Sequence, residues 1–116
     1  MAGNPSISDH GLIGDLQTAA LVSTGGAIDW FCCPRFDSPS VFASLLDPAR
    51  GGYFRIAPTG DDCAVKQLYF PESAVLITRF MAEDGVAELA DFMPIAPLTV
   101  ASDRRRVVRL IRGVRG

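Results

Sequence analysis

AVLITRFMAEDGVAELADFM, residues 74–93, is the stretch that decides the fold. Its first part is rich in β-branched and aromatic residues (Val75, Ile77, Thr78, Phe80), which suit a pleated, half-buried surface. Glu83-Asp84-Gly85 then carries the Asp-Gly signature of a tight hairpin, where glycine tolerates the positive φ that such a turn demands. The second part alternates. Val86, Glu88, Ala90 and Phe92 share one face, and Ala87, Leu89, Asp91 and Met93 share the other. The reading is an antiparallel hairpin with one face turned to a core.

Period two extends upstream. Residues 64–70 set Val65, Gln67 and Tyr69 against Lys66, Leu68 and Phe70, and residues 53–57 form a further candidate strand. Residues 18–23 and 27–33 are apolar runs around Gly25-Gly26, which reads as a second hairpin. Between these, Ser38-Pro39 can open a short helix, because serine caps and proline suits the first helical position. Val41, Phe42, Leu45 and Leu46 then give it one apolar stripe. The last residues, from Arg104 on, fit either a helix or a strand. Val107, Leu110, Ile111 and Val114 match a helical face, whereas the glycines and β-branched residues favour a strand. The sum of six or seven short strands is all-β: an antiparallel β-sandwich, or part of one, with one short helix. Residues 1–116 are expected to form a single domain, cut short because no closing element follows the last strand candidate.

Composition narrows the function. The chain has 116 residues, 48% of them hydrophobic, with a net charge of −2. That suffices for one packed core. It offers no overall positive field for nucleic acid. No apolar run is long enough for a transmembrane helix, and the first ten residues lack the basic and apolar regions of a signal peptide. Neither a nucleic-acid nor a membrane partner is expected. Three cysteines, two of them adjacent at 32 and 33, read as reduced, packed thiols of a cytoplasmic protein. A single histidine and no C-x-x-C spacing leave no expected metal site, and no cofactor is expected.

Four segments occur in a telling order: HGLIGDLQTAALV (residues 10–22), GAIDWFCCPRFDSPSVF (26–42), Gly51-Gly52-Tyr53-Phe54 and Asp91-Phe92-Met93-Pro94. In this order they resemble the N-terminal domain of bacterial glycoside hydrolase family 15 proteins, the glucoamylase-like and trehalase-like enzymes. The resemblance implies a supersandwich-type N-terminal domain that precedes an (α/α)6 barrel. It implies that the barrel, absent here, carries two catalytic glutamates for inverting hydrolysis of an α-glucosidic bond in trehalose or an α-glucan. The partner it implies is that barrel. No catalytic residue is assigned to this chain. Its only glutamates are Glu72, Glu83 and Glu88, two in turns and one in a strand, and no motif pairs them.

The candidate site residues are Asp29, Trp30, Arg35, Phe36 and Asp37, read as domain-interface or pocket-rim positions. Arg35 and Asp37 either lean on the barrel or form a local ion pair beside a capping Ser38. Trp30 is either a sugar platform or, by sharing a strand face with Ile28 and Cys32, a core residue. Asp29, if buried, needs a partner, with Arg35 and Arg55 the candidates. His10 is read as surface or strand-edge packing. Asp15 is read as organising a turn through backbone amides. The basic cluster Arg104–Arg106, Arg109, Arg112 and Arg115 is read as a strand continuing the sandwich, with anion binding as the competing reading. A stand-alone carbohydrate-binding or protein-interaction module is the alternative function. Unpaired strand edges would also permit self-association.

Overall fold

In the computed structural model, which describes residues 6–33, 35, 37–59, 63–95 and 106–116, the alternating segments form nine strands. They are β1 (His10–Gly14), β2 (Ala19–Ser23), β3 (Ala27–Cys32), β4 (Ser40–Phe42), β5 (Phe54–Arg55), β6 (Ala64–Tyr69), β7 (Leu76–Ala82), β8 (Gly85–Phe92) and β9 (Val108–Arg115). One antiparallel sheet, A, has the order β1-β2-β3-β4, with β5 also paired to β3. The other, B, has the order β6-β7-β8-β9. The β7–β8 hairpin turns at residues 83–84, and its register sets Thr78 opposite Leu89. The fold is the antiparallel β-sandwich that the alternation predicts.

The inner faces follow from the two-residue period. Sheet B turns Leu76, Thr78, Phe80, Leu89 and Asp91 inward, all of them buried. Sheet A supplies Ile13, Ala20, Val22, Ile28 and Phe31, which form one cluster with Leu76 and Met93. Side chains also stitch the sheets through the backbone. Gln67 Nε2 donates to the carbonyls of Val22 and Ser23, both at 3.3 Å, and to Thr78 Oγ1 at 3.1 Å. Tyr69 meets the main chain of Leu12 on edge strand β1, accepting from its N–H at 2.9 Å and donating to its C=O at 2.8 Å. Those are groups that an edge strand would otherwise leave open.

Three local expectations change. Residues 38–46 form no helix: residues 40–42 pair with β3 as β4, and turns follow to residue 51. The one helical turn among the described residues is the 3-10 turn Ile7–Asp9. Cross-strand pairing of Phe42 with Phe31 outcompetes the short stripe, because a helix of so few residues has little stability of its own. The C-terminal ambiguity resolves to a strand, with Leu89 opposite Ile111. Arg104 and Arg105 lie outside the described residues. Finally, β3 carries a bulge. Leu21 faces Trp30 and Val22 faces Ile28, so Asp29 is the extra residue. The bulge flips the alternation, and Ile28 and Phe31 both reach the core while Trp30 is only half-buried. The even-numbered face expected for Trp30 therefore breaks at this point.

Candidate functional site

Two buried carboxylates organise the molecule. The first is Asp91, which β8 turns inward beside Leu89. Its partner across the β8–β9 ladder is Arg109. Arg109 Nε donates to Asp91 Oδ1 at 2.7 Å and Nη2 donates to Oδ2 at 3.3 Å, a bidentate fork. The same guanidinium crosses to sheet A. Nη1 donates to the Phe54 carbonyl and Nη2 to the Gly26 carbonyl, each at 2.7 Å. It also lies 4.8 Å from the centre of the Phe54 ring, within cation–π range. Burial pushes the Asp91 carboxyl above its ordinary value, with Arg109 pulling against it. Gly26 is obligatory here. Its φ is +83°, and an added Cβ would collide with the Ile56 carbonyl. Its own carbonyl accepts from both Ile56 N–H and Arg109.

The second is Asp29, on the β3 bulge. Its partner is neither Arg35 nor Arg55 but His10, from β1. His10 Nε2 lies 2.7 Å from Asp29 Oδ2, and the two side chains are 1% and 6% exposed. His10 Nδ1 lies 2.8 Å from the Ser6 carbonyl, which can only accept, so the hydrogen bond there runs from the ring to the backbone. Histidine at an edge strand is thus a buried partner rather than a surface residue. Asp29 Oδ1 is different: it is buried with no hydrogen-bond partner among the described residues. Asp29 also contributes to the wall of an open cavity of about 390 Å³ between the β2–β3 turn, residues 44–55 and β6. Arg55, expected as a possible salt-bridge partner, instead donates from Nε to the Gly25 carbonyl at 3.1 Å, on the same cavity wall.

The remaining candidates are dispersed. Arg35 and Asp37 are exposed, and among the described residues no ion pair joins them. What fixes their loop is local. Ser38 Oγ accepts from Arg35 N–H and Ser38 N–H donates to the Arg35 carbonyl, both at 3.1 Å. Ser38 thus closes a turn and caps no helix. Phe36 lies outside the described residues. Asp15 does organise a turn: its Oδ1 accepts from Gln17 N–H at 2.9 Å and Thr18 N–H at 3.0 Å. Glu88 sits on the outer face of sheet B between Arg79 and Arg112, and the Arg112 hydrogen bond in particular holds its carboxyl below the usual value. Cys32, Cys33 and Cys63 are free thiols. Among the described residues no group of three or more His, Cys, Asp or Glu could hold a metal ion. Among the described residues no helix is long and apolar enough to cross a membrane.

A signal for Asp91 was available in its inward phase between Leu89 and Met93. Arg109 had none beyond membership of a basic cluster, and the His10–Asp29 pairing spans 19 residues.

Comparison with known proteins gives one family. The model described as "Trehalase-like, N-terminal" matches residues 2–115. A trehalase of Thermoplasma volcanium is 46% identical over 94 residues, covering 79% of this chain and 15% of the relative. A trehalase of Mycolicibacterium smegmatis is 37% identical over 106 residues, covering 90% and 16% respectively. Trehalase 1 of Sulfolobus acidocaldarius is 42% identical over 100 residues, covering 86% and 17%. The chain thus spans about a sixth of the length of these relatives. No solved structure matches.

Proposed function

The chain belongs to the trehalase-like N-terminal family, and from that premise we propose that it is the non-catalytic N-terminal domain of a trehalase, docked on a catalytic domain whose pocket it helps to shape. The observation that carries this reading is that the relatives named as trehalases match it over only about a sixth of their length. The chain's own carboxylates support it. Inverting glycoside hydrolysis needs an acid and a base about 6.5–9.5 Å apart with room for water. Here Asp15 is committed to turn amides, Asp91 to Arg109 and Glu88 to two arginines. Glu72 and Glu83 are exposed in turns. The catalytic acid and base are therefore assigned to the rest of the protein, with trehalose as the leading substrate and other α-glucosides of family 15 type as the second class. A cytoplasmic location belongs to the same proposal.

The outer face of sheet B supports docking. Ladder register aligns Leu68, Ile77, Ala90 and Leu110 in one row, with Phe70, Phe92 and Val108 beyond it. Leu68 is 40%, Phe70 59% and Leu110 56% exposed, a contiguous apolar surface of the kind that marks an interface. Without its catalytic domain the same face would favour self-association. Arg35 and Asp37, both exposed, are proposed as pocket-rim contacts. The direct test is glucose release from trehalose. The full-length protein is expected to turn over and the 116-residue chain to give none. Turnover by the chain alone would overturn the assignment.

A further inference from the structure

The sandwich guards its strand edges unevenly. An edge strand presents unpaired N–H and C=O groups that invite another strand, and proteins blunt such edges with short strands, lysines or covering side chains. On sheet A, β4 and β5 have only three and two residues, and Tyr69 caps the Leu12 backbone of β1. On sheet B, β6 carries an exposed lysine, Lys66, near its middle. β9 has none of these devices. It is eight residues long and holds neither proline nor lysine. It pairs regularly with β8 from Val108 to Gly113, beyond which Val114 is an extra, bulged residue. Among the described residues no strand takes its outer edge.

The side chains of β9 are as open as its backbone. Leu110 is 56% and Ile111 62% exposed, although Leu89, opposite Ile111, is fully buried. The cover that buries Leu89 therefore does not reach β9 at this level. Leu110 also ends the apolar row formed by Leu68, Ile77 and Ala90. An occupant of the edge has to continue that row and has to tolerate the arginines of β9.

A second β9 meets both demands. Arg109 is committed to Asp91 and Arg112 to Glu88, so the strand is not an uncompensated run of positive charge. In an antiparallel pair of β9 strands about a two-fold axis, facing residues share one side of the sheet. With the axis at Leu110, Leu110 meets Leu110 of the second copy, Arg109 meets Ile111, and Val108 meets Arg112. Like charges directly opposite one another destabilise a sheet, and this register creates none. An axis at Arg109 or at Arg112 sets two arginines face to face. An axis at Ile111 sets Leu110 against Arg112 and draws in the bulged Val114. We propose that two copies of this chain join β9 to β9, antiparallel, with Leu110 on the two-fold axis, merging two four-stranded sheets into one. The pairing uses a strand edge and leaves the outer face of sheet B free, so it does not rest on the docking reading.

The test is sedimentation velocity of the full chain over a range of concentrations, and a concentration-dependent species of twice the monomer mass is the expected result. Leu110→Lys, at an exposed position, puts two ammonium groups on the axis and is expected to leave monomer where wild type is dimer. Leu68→Lys alters the same outer face at the opposite edge of the sheet and is expected to keep the dimer, which separates edge pairing from face-to-face stacking. Leu110→Cys treated with copper–phenanthroline is expected to give a disulfide-linked dimer that wild type, with its native thiols alone, does not form. If Leu110→Lys disturbs the circular dichroism of the fold, the cross-link still decides. Monomer at every concentration, a dimer that survives Leu110→Lys, loss of the dimer in Leu68→Lys, or no cross-link at position 110 would overturn the proposal. None of these outcomes bears on trehalose turnover by the full-length protein, so the two readings fail separately.

Discussion

Asp91 and Asp29 are both buried carboxylates, each facing one basic side chain, yet their surroundings are finished differently. Both oxygens of Asp91 accept from Arg109, and the remaining donors of that guanidinium close on carbonyls of the opposite sheet. Asp29 has one oxygen on His10 and one with no hydrogen-bond partner among the described residues. The first arrangement is a bolt: it spans the sandwich, and both carboxylate oxygens and all three guanidinium nitrogens in it have a partner. The second keeps an unmatched oxygen shielded from solvent. Complete satisfaction is what a purely structural ion pair needs, because desolvation must be offset by hydrogen bonds.

Breaking the bolt should have the largest effect. Arg109→Met leaves Asp91 buried and unpaired, and should cost about 3–5 kcal/mol of unfolding free energy in urea titrations. The double variant Asp91→Leu with Arg109→Met should recover most of that loss, since it removes both charges. A cost below about 1 kcal/mol for Arg109→Met would erase the contrast between the two centres. Asp29→Asn should cost less, about 1–3 kcal/mol, because it perturbs one hydrogen-bonded contact rather than a four-way junction. If it costs more than Arg109→Met, the His10–Asp29 pair is the principal structural one and the comparison inverts. Tyr69→Phe removes two hydrogen bonds to the exposed backbone of Leu12 and should cost about 0.5–1.5 kcal/mol.

The smallest effect belongs to a third carboxylate, which calibrates the other two. Glu88 lies on the outer face, and Arg112 is 75% exposed, so Arg112→Ala should cost about 0–1 kcal/mol and less in high salt. The folded-state carboxyl of Glu88 sits below its ordinary 4.5. The pair therefore adds stability above that value, and this is lost as the pH falls through the lower folded value. Urea midpoints of wild type and Arg112→Ala should converge in acid. A gap that widens in acid would contradict the sign.

Much of the sandwich was legible because a two-residue period is a strong signal when glycines punctuate the runs, although only Gly26 takes the positive φ expected of a turn: Gly85 pairs with Ala82 as the first residue of β8, and the turn is Glu83-Asp84. The residues 86–93 alternation assigned each face as found, with Leu89 and Asp91 inward. It failed where one residue altered the phase. The extra residue at Asp29 turned Phe31 to the core and left Trp30 half-buried, and no local property of the segment announces a bulge. The stripe at residues 41–46 failed for another reason: pairing of Phe42 with Phe31 is non-local and outweighs a marginal helix. The candidate site was legible only in part. Asp29 stood out as a charge in an apolar run, but its partner came from β1, and the cavity exists only once three separate segments meet. Arg35 and Asp37 remained exposed, with their loop set by Ser38.

The Tyr69 bridge to Leu12 has a consequence for dynamics. An outward amide on the last strand of a sheet ordinarily trades its hydrogen for deuterium quickly, since fraying of one strand exposes it. The Leu12 amide is held instead by a phenol from the opposite sheet. Its exchange therefore requires loss of a cross-sheet contact as well as exposure of the strand, so Tyr69→Phe is expected to speed exchange at this one amide while leaving its neighbours on β1 unchanged.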